Sequence, residues 1–415
     1  MLIRTRAGLR TREPNHHQGD FMNNCRRHIR FLLLSAAVVA APLSAAQAQD
    51  VNAALERFKA LWEEQGMAIE WENAAISGDD AVLENVTVTS AGEDFEVSNI
   101  AFEDISDDPE GYRVRSITMD DFEVEGEDGF YAAVSGIGMN NVLMPNDDVR
   151  DNYGGFIFYE KAHVDDARIS VDGVDVASMT NAQITITPPV SGAPISYTGS
   201  VEKFFVDLSL AKDSEQWPII EALGYQQISG SIKSNGKWNP QDGDFELTET
   251  NITINDAGTL GMSFTLGGYT RELIASLREI QQQMADDPEA DSTAQGMAAL
   301  GLMQQMSFRS AEISFTDDSL TSKVLELVAQ MQGMSKTDVA AIAKGAVPFA
   351  VSQLGDSDFT ASTTQAVSAF LDNPKVIRIT AKPANDVPFA LIMAEGMSTP
   401  QGLIKTLNVK VTAND

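Results

Sequence analysis

A short pattern of apolar and polar residues recurs along the chain, and it restricts the fold more than any other feature of the sequence. Each copy has an apolar residue, two polar residues, and then an alternation that ends on an apolar residue. Alternation with a period of two is typical of β-strands, whose successive side chains point to opposite faces of a sheet. The copies are Leu83–Val88, Met119–Val124, Val164–Ile169, Leu247–Ile252 and Phe308–Ile313.

A second pattern follows the first in two of these copies, so each pair of patterns predicts one hairpin. Val97-Ser-Asn-Ile100-Ala-Phe102 matches Val134-Ser-Gly-Ile137-Gly-Met139. In both segments the apolar positions shift by one residue at the same place, which predicts a β-bulge or a strand corner there. The candidate ligand-facing residues of the sheet are Val97, Ile100, Phe102, Val134, Ile137 and Met139.

The region 67–269 consists of short apolar alternations separated by Gly, Asp and Asn turns, which predicts a repetitive antiparallel meander of hairpins. Before it, an apolar stripe from Val51 to Trp62 predicts an amphipathic helix at 49–66. We interpret this helix as a packing element, with a partner-binding helix as the alternative.

The region 270–415 has a helical period, and its last segments return to alternation. These segments include a predicted strand at 388–392. We therefore expect an α+β protein with a long antiparallel β-meander, C-terminal helices packed on it, and terminal strands that rejoin the sheet.

In the strand at 245–254, Phe245 and Leu247 have the opposite parity from Ile252 and Ile254, which predicts that both sheet faces are apolar.

The first 48 residues have the features of a cleavable signal peptide. A basic segment at 26–30 precedes an apolar run at 31–43, and Ala46-Gln-Ala48 has the small-x-small form that signal peptidase cleaves. The run is too short for a membrane anchor. We expect a soluble periplasmic protein that is cleaved near Ala48 and keeps no integral membrane anchor. Translation from Met22 and export by the twin-arginine route are alternatives that the sequence leaves open.

Composition excludes several classes of partner and of chemistry. The formal net charge is −31, and nucleic-acid binding requires a basic surface instead. The single cysteine, Cys25, lies in the predicted signal, and His163 is the one histidine that follows it. Thiolate or multi-histidine metal sites and cysteine nucleophiles are therefore excluded. We predict no catalytic residue, no metal ligand and no cofactor. A hydrolase that uses two carboxylates stays open, because its signature is a distance.

The repeated strand starts and the paired Val-Ser-x-Ile elements of 67–269 resemble those of AsmA-like and related repeating β-groove proteins of the bacterial envelope. The resemblance covers about half of the chain and implies a long, curved sheet whose apolar concave face holds lipid acyl chains. The chain departs from these families in lacking a retained N-terminal anchor and in being shorter.

We therefore expect an envelope protein that binds a lipid or other apolar ligand in a sheet groove, closed by the methionine-rich C-terminal helices. A structural or interaction protein without a small ligand is the alternative, and no protein partner can be named. A carboxylate-based hydrolase is the third hypothesis.

Overall fold

A computed structural model describes residues 47–64, 66–90, 93–126, 129–153, 157–188, 194–286, 301–354 and 357–415. The predicted signal peptide and the alternative start at Met22 lie outside these ranges, apart from residues 47 and 48. Residues 287–300, part of the region with a helical period, also lie outside them. Within the described ranges, no helix is both long enough and apolar enough to cross a bilayer.

The strands form one 16-stranded antiparallel sheet in which nearly every strand pairs with the next one along the chain. Two short strands leave this order, because β5 pairs with β6 and β15 pairs with β13. The strands are β1 (Met67–Ser77), β2 (Asp80–Ser90), β3 (Glu93–Asp108), β4 (Gly111–Met119), β5 (Phe122–Glu125), β6 (Phe130–Pro145), β7 (Lys161–Val171), β8 (Val174–Thr187), β9 (Ile195–Asp207), β10 (Gln227–Asn239), β11 (Asp244–Ile254), β12 (Gly258–Gly267), β13 (Ser307–Asp317), β14 (Val376–Ala381), β15 (Val387–Pro388) and β16 (Val409–Ala413).

Helices lie before the sheet and between its later strands, which confirms the predicted α+β fold with terminal strands that rejoin the sheet. The α-helices are α1 (Gln47–Glu63), α2 (Trp217–Leu223), α3 (Arg271–Asp286), α4 (Leu320–Gln332), α5 (Lys336–Ser352), α6 (Ser357–Asp372), α7 (Phe389–Ser398) and α8 (Gly402–Thr406).

The strand predicted at 388–392 is wrong. Only Val387 and Pro388 pair with β13, and α7 begins at Phe389. Proline has no N–H to continue a ladder, and the residues of α7 include several good helix formers such as Ala, Leu, Met and Glu. The apolar run at this point is therefore a helix rather than an inward-facing strand.

A line of irregular residues crosses the sheet from β1 to β9 at the two polar positions of the repeated pattern. The β1–β2 and β2–β3 ladders both skip Asn85, and the β6–β7 and β7–β8 ladders both skip Asp165. Left-handed backbone occurs in this line at Asn85 (φ 51°), Gly136 (φ 62°) and Asn181 (φ 50°). Gly and Asn are the residues that adopt this conformation at least cost. The predicted irregularity at both parity shifts is confirmed.

A second line of the same kind crosses β3, β4 and β6. Asp104 (φ 58°) and Asn141 (φ 49°) are left-handed, and the ladder between β4 and its two neighbours skips Arg115. The Arg115 guanidinium lies 3.4 Å from the Asp104 carboxylate. At each of these lines the ladder skips one residue, so the alternation of side chains between the two faces starts again. Apolar residues three positions apart therefore face the same side of the sheet.

One face of the sheet is apolar from the first strand to the last, because the parity resets keep apolar side chains on the same side. Directly opposed residues of an antiparallel pair share a face. One such row contains an apolar residue in every strand of the main order: Ala74, Leu83, Ile100, Met119, Ile137, Val164, Ala182, Val201, Ile232, Ile252, Leu260, Phe315, Ile377 and Ala413.

The prediction of two apolar faces is therefore wrong for β11. Its register shifts between Leu247 and Thr250, and both of its apolar sets pair with the continuous alternation of β12. Phe245 opposes Leu266, and Ile252 opposes Leu260. A bulge adds one residue to a strand, so apolar residues before and after it have opposite parity in the sequence but point to the same face of the sheet. The change of parity in β11 therefore marks a bulge.

Helix α1 covers the first part of the apolar face. Leu55, Phe58 and Leu61 are each at most 2% exposed and belong to one buried cluster with the strand residues beneath them. The rings of Phe58 and Phe102 meet edge to face, with centroids 5.0 Å apart. The Arg57 guanidinium donates a hydrogen bond of 2.8 Å to the Pro145 carbonyl. The interpretation of this helix as a packing element is confirmed.

Helix α6 covers the far end of the apolar face. Phe370 is buried, and its ring lies 6.5 Å from that of Phe315 in the apolar row. The Asn414 side-chain amide, just after β16, donates hydrogen bonds to the carbonyls of Ala369 and Asn373 at 3.0 and 2.9 Å. The two ends of the apolar face are therefore covered by different helices, and its middle is left less covered.

We expect Gly136→Ala to destabilise the fold more than Gly173→Ala. Both glycines are left-handed, but a Cβ at Gly136 would lie 2.4 Å from Oδ2 and 2.6 Å from Cβ of Asp165, whereas a Cβ at Gly173 meets nothing within 4 Å. The free energy of unfolding should fall by about 1 kcal/mol for Gly173→Ala, and by about 2–3 kcal/mol for Gly136→Ala. Urea denaturation measures both, and equal losses would contradict the role given to this line.

Removal of the Leu55 side chain should destabilise the protein strongly, because it is buried between α1 and the sheet. Leu55→Ala should lower the free energy of unfolding by about 2–5 kcal/mol. The neighbouring exposed residue provides the control, and Glu56→Ala should change it by less than about 0.5 kcal/mol. A small effect of Leu55→Ala would mean that α1 does not hold the sheet.

Candidate functional site

A cavity of about 550 Å³ opens on the apolar face of the sheet, next to α1. This volume lies within the range of small-molecule sites, about 300–1,000 Å³. The described residues that line it are Phe58, Trp62, Met67, Ala68, Ile69, Val88, Ile100, Ile117, Ile137, Gly138, Met139, Tyr159, Ala162, His163, Val164, Ala182, Gln183, Ile184, Gly199, Ser200, Val201, Ile232 and Ser234.

The sheet curls around this cavity. Its walls include Met67 and Ile69 of β1 and also Ile232 of β10, which is eight strands away in the sheet order. In a flat sheet, strands that far apart would be separated by about 38 Å, at about 4.8 Å per strand. Irregular residues bend strands and increase their twist, so the line that crosses β1 to β9 accounts for a curved sheet in this region.

The six candidate residues predicted from the sequence all lie on the apolar face, but only three of them line the cavity. Ile100, Ile137 and Met139 form part of its wall. Val97 and Phe102 are buried in the cluster beneath α1. Val134 is 2% exposed between neighbouring strands.

Sequence reasoning missed the half of the wall that β7 to β10 supply. Ala162, Ala182 and Val201 line the cavity, yet only the strand at 164–169 had been recognised as a copy of the pattern. The same spacing of three does occur at Met179 and Ala182 and at Val201 and Phe204. This signal could have found these strands, but Ala and Met are weak markers of it.

Helix α1 closes one side of the cavity. Phe58 and Trp62 of α1 line it, whereas the described residues of the methionine-rich C-terminal helices do not. Helix α1 precedes the sheet directly, and its apolar stripe is long enough both to cover the core and to reach the cavity. The closure of the groove by the C-terminal helices stays a prediction, because residues 287–300 lie outside the described ranges.

No Asp, Glu, Lys or Arg occurs among the described residues that line the cavity. Three polar side chains in the wall belong to the opposite face of the sheet. His163 opposes Gln183 in one ladder, and Gln183 opposes Ser200 in the next. The His163 ring packs over Gly138, where an added Cβ would lie 2.7 Å from its Cε1 atom. The cavity is therefore lined mainly by apolar side chains, with uncharged polar groups such as those of Tyr159 and Ser234.

Tyr159 supplies a polar group to the wall from the apolar side. Its backbone is fixed by the two residues around it, because Phe158 exchanges hydrogen bonds with Leu143 and the Glu160 N–H donates to the Asn140 carbonyl at 3.1 Å. Burial raises the pKa of the Tyr159 hydroxyl, and no hydrogen bond or charge contributes to this shift. The phenol is therefore an uncharged donor in an apolar setting.

Paired carboxylates of the kind that hydrolyse glycosides are not found among the described residues of the wall. Neither Asp nor Glu occurs among the described residues of the cavity wall. In the described part of the chain, no group of three or more His, Cys, Asp or Glu side chains is placed to hold a metal ion.

A second cavity, of about 520 Å³, lies between α4 and α5 and is lined mainly by aliphatic side chains such as Val324 and Val328. It is separate from the apolar face of the sheet that the repeated pattern builds.

The fold and the cavity define a class of protein, a curved antiparallel sheet with an apolar site on one face. A family model whose description reads "Uncharacterized protein" matches residues 251–414. That segment runs from the middle of β11 to β16, whereas every described residue of the cavity wall precedes it. A search of curated proteins gave no match. The comparisons therefore concern the C-terminal part of the sheet and not the cavity.

If the space is empty, a larger side chain should fit in it at little cost. We expect Ala182→Leu, in the cavity wall, to change the free energy of unfolding by less than about 0.5 kcal/mol. The matched control is Ala81→Leu, in a fully buried position of the same face, which should lose about 1–3 kcal/mol through overpacking. Thermal or urea denaturation measures both, and a comparable loss for Ala182→Leu would show that no cavity exists at this position.

Proposed function

We propose that this is a periplasmic envelope protein that binds a lipid or another molecule with an apolar chain in the cavity of its curved sheet. The observation that carries the proposal is the uncharged wall of a 550 Å³ cavity on a continuous apolar face. The export signal predicted at 1–48 and the resemblance to AsmA-like proteins support the location and the class of ligand.

The energetics favour an apolar ligand. Transfer of a hydrocarbon chain from water gains roughly 0.8 kcal/mol for each buried methylene. A ligand would also cover wall side chains that are otherwise in contact with water, so both surfaces contribute. An acyl chain in the cavity would thus complete the core between the ends that α1 and α6 cover.

Among the described residues, some apolar side chains of this face beyond the cavity also stay exposed. Leu260 in the apolar row is 38% exposed, and Ile313 on the adjacent strand is 52% exposed. Isolated exposed apolar residues are common on protein surfaces, but a continuous apolar row that leads to a cavity is typical of a binding site.

The experiment is a fluorescence titration of the protein with N-phenyl-1-naphthylamine, an uncharged apolar probe. We expect saturable binding to the wild type and at least a tenfold loss of affinity, about 1.4 kcal/mol, in Ile184→Asp. Ile184 lines the cavity, and a carboxylate there would have to lose its hydration beside the probe.

The control is Thr185→Asp, which places the same charge one residue along β8 on the exposed, opposite side. It should bind the probe like the wild type. Equal losses in the two variants, with both still folded by circular dichroism, would place the binding elsewhere. No saturable binding to the wild type would leave the structural alternative, in which the sheet is only a scaffold.

A further inference from the structure

We infer that the cavity selects ligands whose polar group is uncharged and accepts a hydrogen bond, such as an ester, and discriminates against ligands that carry a carboxylate. This inference rests on the proposed function and specifies the chemistry of its ligand. It is carried by the charge of the wall and by the position of Tyr159.

No described Lys or Arg of the wall would neutralise an anion, and the donors there, such as the Tyr159 hydroxyl and the Trp62 indole N–H, are uncharged. The whole chain has a formal net charge of −31. A carboxylate that enters an apolar site without a partner loses its hydration with no compensation. The surrounding negative charge adds an unfavourable potential. A free fatty acid therefore has to keep its carboxylate out of the cavity, which limits how far its chain can enter.

The Tyr159 hydroxyl offers what an uncharged acceptor needs. Burial alone raises its pKa, so the group stays protonated at neutral pH and has a proton to donate. Like Ile137 and Met139 of the second repeated pattern, its side chain packs against the buried cluster under α1 and lines the cavity. An ester carbonyl can accept this hydrogen bond and lose little hydration, whereas a saturated hydrocarbon gains nothing from it.

The test is competition against N-phenyl-1-naphthylamine by three ligands with similar chains: dodecane, methyl dodecanoate and dodecanoate. It is made on the full-length protein at about pH 8, where a carboxylic acid with a pKa of about 4–5 is ionised. We expect methyl dodecanoate to displace the probe at a concentration at least tenfold lower than dodecanoate does.

The Tyr159→Phe variant separates the hydrogen bond from the apolar contact. We expect it to lower the affinity for methyl dodecanoate by about threefold to tenfold, the usual range for one neutral hydrogen bond. The affinity for dodecane should stay unchanged. Tyr112→Phe is the control, because Tyr112 packs on the same apolar cluster but does not line the cavity. This control should change the affinity for neither ligand.

Two results would overturn the inference while the proposed function stands. One is that dodecanoate competes as well as the ester, and the other is that Tyr159→Phe weakens dodecane and the ester equally. Failure of dodecane and the probe to bind the wild type would instead overturn the proposed function, and the inference with it.

Discussion

The structure depends on the need to keep apolar side chains on one face of a sheet whose strands are repeatedly interrupted. An ordinary strand reverses the facing of each successive side chain, so an interruption that resets parity would normally expose part of the core. Here the resets are aligned from strand to strand, at Asn85, Gly136 and Asn181 and at the residues opposite them. The interruptions therefore preserve a single apolar face while they allow the sheet to bend.

The proposed function depends on which parts of that face are covered. Helix α1 packs on its first strands, and α6 packs near Phe315 at its far end. The strands between them curl, so that β1 and β10 both line one cavity. The same device thus supplies the buried core beneath α1 and the apolar wall of the cavity, which we propose as a binding site.

Much of the fold could be predicted from the sequence because its cause is local. The strand pattern, the stripe of α1 and the parity shifts at 97–100 and 134–137 are each visible in a few residues. The mistakes arose where distant residues decide the outcome. The parity change at Leu247 was read as a second apolar face, although pairing with β12 makes it a bulge. The strand predicted at 388–392 also failed, because only its first residue pairs with β13.

The candidate site was predictable only in part. Ile100, Ile137 and Met139 follow from the pattern, but which strands stay uncovered depends on the curl of the sheet and on where α1 ends. Neither is encoded in a short window, so Tyr159 and the wall from β7 to β10 could not be chosen in advance. The uncharged character of the wall likewise appears only when residues from many strands are brought together.

The proposal that the cavity binds an apolar ligand is tested most directly by native mass spectrometry of the protein purified from the cells that naturally produce it. The account predicts adducts of defined mass that are released on denaturation, extract into organic solvent and are lost in the Ile184→Asp variant. A single mass without adducts, under conditions that preserve the bound ligand of a known lipid-binding protein, would contradict it.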